Sequence, residues 1–318
     1  MGINLEFERP LAPLREQLEG LDKEVAAGAT DELRLRRDAV AAELERQSRE
    51  LYAELNRWQK VQVARYQRRP QTLDYAKAIF TEFVELRGDR AYADDKAIVG
   101  GPARLDGQVV MLIGHQRGHD TKEAVERNHG QPHPEGFRKA LRLYRLAEKF
   151  GMPLLTFLDS SGASPGLEDE ERGQAWALAE NIAAMTELRV PIIASVIGEG
   201  GSGGSLALGV ADRLLMLEHS VFSVATPEAA ASIVWKDSKH APEAAEALKL
   251  TAHDLLELGV ADRIVPEPAG GAHSDQAATA EALREALLHE LQALRSVPLE
   301  RLLADRYEKY RRIGTFYE

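Results

Sequence analysis

The amino-acid sequence predicts an α/β domain placed between two helical segments. Three features support this: short apolar runs that are nearly continuous, glycine-rich turns after some of these runs, and amphipathic helical patterns between them. Strands buried on both faces give uninterrupted apolar stretches instead of alternating ones. We therefore expect strands to alternate with helices around one sheet, with strand cores at Val109–Ile113, Leu154–Leu158, Ile192–Ile197 and Leu214–Leu217.

The chain has 318 residues, enough for one large domain or two ordinary ones. Residues 1–70 are predicted to form a helical arm, because apolar residues fall three, four or seven apart on one stripe: Val40, Leu44, Leu51, Leu55, Trp58 and Val61. We expect the α/β domain over residues 71–272. Two helices over residues 273–318 complete the prediction, marked by Leu283, Leu287, Leu291, Leu294, Leu302, Tyr307 and Tyr310.

Charge and composition exclude several classes of function. Lysine and arginine number 40 against 51 aspartates and glutamates, which gives a net charge of −11 and makes nucleic acid an unexpected main partner. The absence of cysteine excludes disulfides, thiolate nucleophiles and zinc sites with sulfur ligands. The longest apolar run is far shorter than the ~20 residues of a membrane span. The first six residues lack the basic and apolar regions of a signal peptide, so we expect a soluble, cytoplasmic protein.

The strongest local feature is the glycine-rich segment Gly198–Ser205. It follows the predicted strand Ile192–Ile197 directly and precedes the helical run Leu206–Val210. Five glycines in seven residues leave backbone N–H groups uncovered at the start of a helix. Such a segment can hold a phosphate or an oxygen that gains negative charge, although a tight turn with close helix–strand packing is the alternative.

A second loop, residues 158–166, has a similar construction. It follows the predicted strand Leu154–Leu158 and precedes a helix that opens with Glu168, Asp169, Glu170 and Glu171. Four adjacent carboxylates could suggest a metal site. We interpret them as a solvated first helical turn, because acidic residues there complement the helix dipole by roughly 0.3–1 kcal/mol each.

Gly200–Gly204 also matches the G-x-S-x-G pattern of the nucleophile elbow in α/β-hydrolases. A serine hydrolase that uses Ser202 is therefore an alternative function. Its nucleophile would need a histidine base and an orienting acid such as Asp212 or Asp254. The candidate bases are His219, His240, His253, His273 and His289.

Two further clusters allow a structural or a functional interpretation. Four histidines recur with H-x₃-H spacing: His115, His119, His129 and His133. This spacing is compatible with a zinc site, but the loop context of these histidines favours hydrogen-bonding roles. A basic island is expected to be a solvated helix face, or else to hold an anionic partner: Lys122, Arg127, Arg138, Lys139, Arg142 and Arg145.

Several motifs in one order resemble the carboxyltransferase α subunits of bacterial heteromeric acetyl-CoA carboxylases. They are the segments 88–101 (GDRAYADDKAIVGG), 134–142 (PEGFRKALR), 171–174 (ERGQ), 198–204 (GEGGSGG), 226–228 (TPE) and 232–236 (SIVWK). The likeness runs from the helical arm to about His273. Because it spans most of the chain, it is more specific than any single glycine cluster.

The resemblance implies a crotonase-like fold of ββα units wound into a spiral. It implies transfer of a carboxyl group from carboxybiotin on a biotin carboxyl carrier protein to acetyl-CoA, which gives malonyl-CoA for fatty acid synthesis. Expected partners are a carboxyltransferase β subunit that carries zinc, the carrier protein and biotin carboxylase. The expected assembly is α₂β₂, and this chain itself is expected to bind no metal.

The resemblance also implies site residues. The backbone N–H groups of Gly203 and Gly204 are expected to stabilise negative charge on the biotin side, with Gly162 and Ala163 as a second wall. Further biotin contacts are expected from Gly200, Gly201, Ser202, Ser164, Pro165 and Gly166.

The second loop departs from the family pattern Asp-Thr-Pro-Gly-Ala-Tyr-Pro-Gly. Ser160 and Ser161 stand at the Thr and Pro places, and Ser164 replaces the Tyr. Loss of the tyrosine removes an apolar wall that could pack on biotin. The altered loop keeps a non-catalytic assembly role open as a further alternative.

Overall fold

The computed structural model describes residues 5–314 and contains one seven-stranded sheet between two layers of helices. The prediction drawn from the first six residues rests partly on residues 1–4, which lie outside this range. The strands are β1 (Ile98–Leu105), β2 (Gln108–His115), β3 (Leu154–Ser160), β4 (Ile192–Gly201), β5 (Arg213–Leu217), β6 (Val221–Ser223) and β7 (Arg263–Val265).

The helices are α1 (Ala12–Ala27), α2 (Asp31–Ala53), α3 (Arg57–Ala64), α4 (Thr72–Ile79), α5 (Thr121–Glu126), α6 (Pro134–Phe150), α7 (Leu167–Glu171), α8 (Gln174–Glu187), α9 (Ser202–Leu206), α10 (Pro227–Trp235), α11 (Ala241–Leu248), α12 (Ala252–Glu257), α13 (Gln276–Arg295) and α14 (Leu299–Arg311). Among the described residues, none of these helices is long and apolar enough to cross a membrane.

The sheet begins with an antiparallel hairpin and continues with parallel strands. Its order is β1-β2-β3-β4-β5-β7, and β6 pairs with β4. The hairpin turn is Asp106-Gly107, in which both residues have positive φ. Two-residue hairpins favour an Asp-Gly pair in this conformation. The sequence prediction missed β1, although this Asp-Gly pair was a usable signal.

The four predicted strand cores are confirmed, since they lie within β2, β3, β4 and β5. β4 is longer than expected and continues through the glycines to Gly201. Its residues 192–196 pair with β3 and β5. Its residues 199–201 pair with β6, and Gly200 also pairs with Ser160 of β3, so the glycine segment has strand partners on both sides. The predicted helix Leu206–Val210 is wrong, because α9 begins at Ser202 and already ends at Leu206. Residues 207–209 form a turn, in which the N–H groups of Leu208 and Gly209 donate to the carbonyl oxygens of Ser205 and Leu206.

Both faces of the sheet are buried, which explains the uninterrupted apolar runs. Met111 and Ile113 of β2 pack in the cluster that contains residues of α6 and α8. Their neighbours Val110 and Leu112 pack on the opposite face, with residues of α4 and α13. Successive strand residues point to opposite faces, so two helical layers require apolar residues at every position.

The predicted helical stripe of the arm is interrupted. Leu55 lies in the loop between α2 and α3, and Asn56 starts α3 with a capping box that involves Gln59. The arm docks on the body where Arg57 donates to both carboxylate oxygens of Asp254, at 2.9 and 2.5 Å. The division at residues 70 and 272 stays a prediction.

Candidate active site

The two loops singled out in the sequence lie side by side at one edge of the sheet. β3 and β4 are parallel neighbours, and Ser160 pairs with Gly200 where both strands end. The residues after these strands therefore meet at the carboxyl ends, the edge where open α/β sheets bind ligands.

Backbone packs directly on backbone between the two loops. A Cβ atom on Gly204 would lie 2.5 Å from the backbone nitrogen of Ala163, and a Cβ on Gly201 would lie 2.2 Å from the carbonyl oxygen of Ser161. Such distances leave no space for a side chain, so this close approach requires glycine at both positions. The structure thus brings the predicted residues of segments 200–204 and 161–163 together.

Some backbone N–H groups of the site already have a hydrogen-bond acceptor within the protein, and others do not. The N–H of Gly162 donates to Ser160 Oγ at 3.1 Å, and the N–H of Gly201 donates to Ser205 Oγ at 2.9 Å. Within residues 5–314, no acceptor takes the N–H of Gly203 or Gly204, which belong to the first turn of α9. Two adjacent amides are therefore free to bind an external acceptor.

The surface around Gly203 is open, whereas Gly204 is buried. Ser202 is exposed and adopts a left-handed conformation (φ 54°), Gly203 is half-buried, and Pro165 and Gly166 are exposed. A Cβ on Gly203 would approach only Leu178, at 3.7 Å. A cavity of about 680 Å³ lies elsewhere, between the helical arm and residues 267–275.

Ser164 is turned away from this open surface. Its side chain is buried, and Oγ donates to Oδ2 of Asp169 at 2.5 Å. The predicted contact residue Ser164 is therefore engaged within the protein, whereas its neighbours Pro165 and Gly166 are accessible.

A buried charged network under the loops was missed by the sequence prediction. Asp159 Oδ1 accepts from the N–H of Glu199 at 3.1 Å and from Arg117 at 3.2 Å, while Arg65 donates to both oxygens of Glu199. Burial raises the pKa of Asp159, and the positive charge of Arg117 opposes that rise. A Cβ on Gly198 would lie 2.3 Å from Asp159 Oδ1, so the network fixes the base of both loops. The position of Asp159 and Glu199 at strand ends was the available signal.

The serine hydrolase alternative is not supported. Among the described residues, no side-chain hydrogen bond joins Ser202 to a histidine, and the candidate bases His240 and His289 lie beside Glu243 and Glu290 instead. Of the candidate bases, His219 is buried against the ring of Tyr52, with ring centroids 5.2 Å apart, and His273 packs on Tyr66 at 4.4 Å. A nucleophile without a positioned base lacks the geometry that this chemistry needs.

The upstream histidines occupy separate environments. His115 is fully buried, and burial lowers its pKa to about 4. His119 pairs with Asp74, and His133 pairs with Asp169, each at 2.7 Å. Within residues 5–314, no group of three or more histidine, aspartate or glutamate side chains is arranged to hold a metal ion.

Much of the basic island is not a solvated helix face. Lys139 is buried and donates to Asp94 Oδ1 and to the carbonyl oxygen of Asp95, both at 2.6 Å. Arg138 pairs with Asp89 and Glu135. These charges therefore join the motif at 88–101 to the start of α6, because each buried charge needs a partner.

Solved structures with this architecture include a Pseudomonas malonate decarboxylase hetero-tetramer in complex with coenzyme A. It matches with a TM-score of 0.57 at 21% identity, covering 68% of this chain and 86% of that chain. The β subunit of geranyl-CoA carboxylase from P. aeruginosa matches with a TM-score of 0.55 at 19% identity, covering 78% of this chain and 44% of that chain. The sheet, its helical layers and these similarities define a crotonase-type fold.

Relatives at much higher sequence identity show the family to which the chain belongs. The acetyl-coenzyme A carboxylase carboxyl transferase subunit alpha of Thermus thermophilus is 51% identical over 317 residues, and that of Gemmatimonas aurantiaca is 53% identical over 317 residues. These alignments cover 99% of this chain and 99% and 98% of the relatives. The family model described as acetyl co-enzyme A carboxylase carboxyltransferase-like matches residues 4–314. The chain belongs to this family of carboxyltransferase α subunits.

Proposed function

We propose that this chain provides the biotin side of a carboxyl transfer from carboxybiotin to acetyl-CoA, forming malonyl-CoA. Family membership supports the reaction class. The observation that carries the proposal for the site is the pair of unoccupied amides at Gly203 and Gly204, held against the loop at 162–163.

The chain's own contribution is electrostatic. Carboxybiotin, carried on a partner protein, supplies the carboxyl group. The N–H groups of Gly203 and Gly204 donate to an oxygen that gains negative charge, and one such donor contributes ~2.7–4 kcal/mol in other enzymes. Gly162 and Ala163 form the opposite wall. The Gly162 amide is already bonded to Ser160, so it shapes the site instead of donating to the ligand.

The residues present fit a small planar group. The surface over Gly203 is open, because a Cβ there would meet only Leu178. Ser202 is accessible on one side, whereas Gly200 and Gly201 are buried against Phe222 and Ser161 and support the segment from within. Pro165 and Gly166 are accessible on the other side, where the resemblance places further contacts.

We further propose that a partner chain covers this open face. Large apolar side chains beside the loops are exposed, with exposed fractions of 75% for Leu167, 72% for Trp176 and 78% for Val224. Apolar patches of this kind mark interaction surfaces. We assign the cover to a zinc-bearing carboxyltransferase β subunit in a cytoplasmic α₂β₂ assembly that works with a biotin carboxyl carrier protein and biotin carboxylase.

The test combines the purified chain, a β subunit of this family and a carboxylated carrier protein. Malonyl-CoA formation from acetyl-CoA is expected only when all components are present. Omission of this chain, of the β subunit or of the carrier's carboxyl group provides three controls. Absence of malonyl-CoA from an assembled complex with carboxylated carrier would contradict the proposal.

A further inference from the structure

We propose that Asp169 is a positioning residue, which holds the loop 160–166 in place through Ser164 and thereby sets the position of the free amides. This inference rests on the proposed function. Asp169 itself does not contact the open surface, because its side chain is almost fully buried.

Asp169 is the centre of a closed set of polar contacts. Its Oδ2 accepts from the Ser164 hydroxyl at 2.5 Å. Its Oδ1 lies 2.7 Å from Nδ1 of His133 and 2.7 Å from a guanidinium nitrogen of Arg172. Both carboxylate oxygens are therefore engaged, and the hydroxyl bond is a charge-assisted one.

The backbone of Ser164 is fixed as well. Its N–H donates to the carbonyl oxygen of Pro132 at 2.9 Å. Its carbonyl oxygen accepts from Gln174 Nε2 at 2.8 Å, and the same nitrogen donates to Pro132 at 2.9 Å. At the other end of the loop, Gln131 Nε2 donates to Ser161 Oγ at 3.0 Å. The loop is thus tied to residues 131–132 and 169–174.

The two serine hydroxyls that make these ties stand where the resembled family has Pro and Tyr. A serine leaves the backbone freer than a proline does. In this chain, two side-chain hydrogen bonds restrict the loop instead: Ser161 Oγ accepts from Gln131, and Ser164 Oγ donates to Asp169. Asp169 therefore has a role that follows from the altered loop sequence.

This loop directly contacts the segment that carries the free amides. A Cβ atom on Gly204 would lie 2.5 Å from the backbone nitrogen of Ala163, which stands between Gly162 and Ser164 in the loop. A shift of the loop by a few tenths of an ångström changes this contact. Donors that stabilise developing charge depend on fixed geometry, so freedom in the loop lowers turnover.

The experiment compares Ser164→Ala, Asp169→Ala and Ser164→Thr in the assembled complex. Glu168→Gln is the matched control, since Glu168 is adjacent to Asp169 and its side chain is 89% exposed. Amide hydrogen exchange is measured across residues 160–166, and kcat and KM are measured for malonyl-CoA formation. Unfolding temperature reports whether each variant remains folded.

Ser164→Ala is expected to speed amide exchange in residues 160–166 and to lower kcat, each roughly tenfold, the effect of one hydrogen bond to a charged group. KM for acetyl-CoA stays unchanged, and the unfolding temperature falls by several degrees but stays above the assay temperature. Ser164→Thr, which keeps the hydroxyl, is expected to restore the wild-type exchange rate and kcat. Asp169→Ala is expected to change both quantities at least as much as Ser164→Ala does.

Unchanged exchange in Ser164→Ala, or faster exchange without a fall in kcat, would overturn the positioning role. So would a failure of Ser164→Thr to rescue. If the wild-type complex makes no malonyl-CoA, the proposed function fails, whereas faster exchange in Ser164→Ala would still show that Asp169 holds the loop. The exchange data on the wild-type and variant loops distinguish the two failures, because they do not depend on turnover.

Discussion

Arg306 and Asp212 form a bidentate ion pair inside the protein, with both side chains almost fully buried. The Nε and Nη2 atoms of Arg306 donate to the two carboxylate oxygens at 2.8 and 2.9 Å. The remaining guanidinium hydrogens donate to the carbonyl oxygens of Met185, Leu188 and Val190. This one side chain therefore ties α14 to the end of α8 and to the segment that leads into β4.

Replacement of Arg306 by leucine is expected to destabilise the protein strongly. It leaves Asp212 as a buried charge without its partner, which typically costs about 3–5 kcal/mol. Urea unfolding followed by circular dichroism measures the change in the free energy of unfolding. Arg301→Leu on the same helix is the control, because Arg301 is 72% exposed and is expected to cost less than about 1 kcal/mol. Equal costs for the two variants would contradict the assigned role of Arg306.

Gly204→Ala is expected to lower malonyl-CoA formation by at least about 100-fold, the loss seen when one charge-stabilising donor is removed. The added Cβ would lie 2.5 Å from the Ala163 nitrogen and would push the two loops apart. The measurement is the rate of carboxyl transfer in the assembled complex. Gly20→Ala in α1 is the control, since no atom lies within 4 Å of its Cβ position. Wild-type turnover in Gly204→Ala would refute the assignment of this amide.

The buried pair of Arg69 and Glu267 predicts a loss of stability in acid. Arg69 donates to both oxygens of Glu267, at 2.5 and 2.8 Å. Burial alone would raise the pKa of Glu267, but the charge and hydrogen bonds of Arg69 hold it at about 2. A carboxyl whose pKa is lower in the folded state stabilises the protein above its unfolded pKa of about 4.5. This contribution of about 3 kcal/mol is lost as the pH falls from 4.5 toward 2.

Glu267→Gln tests this pH dependence, because it removes the titrating group. The free energy of unfolding is expected to fall less steeply between pH 5 and pH 3 in the variant than in the wild type. Chemical unfolding at each pH gives both slopes. Glu257→Gln, at an exposed position on α12, is expected to keep the wild-type slope. A wild-type slope in Glu267→Gln would show that other groups cause the acid sensitivity.

The contact between Tyr52 and Glu8 predicts that one hydroxyl helps to hold the start of the chain on the arm. Tyr52 donates to Glu8 at 2.7 Å, and Arg15 donates to both oxygens of the same buried carboxylate. Tyr52→Phe is expected to cost about 1.5–3 kcal/mol, the value for a hydrogen bond to a charged group. Faster amide exchange in α1 is the specific readout. Tyr307→Phe is the control, because Tyr307 is 64% exposed; faster exchange in α1 there as well would argue against a local role for Tyr52.

The strand cores could be predicted from the sequence because burial on both faces leaves a plain apolar signal, as at Leu154–Leu158. The short strands β6 and β7 were missed, since three residues carry too little pattern. The extent of β4 was also missed. Glycines from 198 to 201 predict a turn locally, and only the presence of β6 as a partner makes them a strand.

The family, the alternation of strands and helices, and the two loops of the candidate site could all be predicted from the sequence, because these depend on local composition and on motifs in order. The tertiary structure alone decided which atoms meet. It placed Gly204 against Ala163, turned Ser164 inward to Asp169 and joined Arg306 to Asp212 across 94 residues of chain. Contacts of this kind depend on how distant segments pack, and no local pattern of residues encodes that packing.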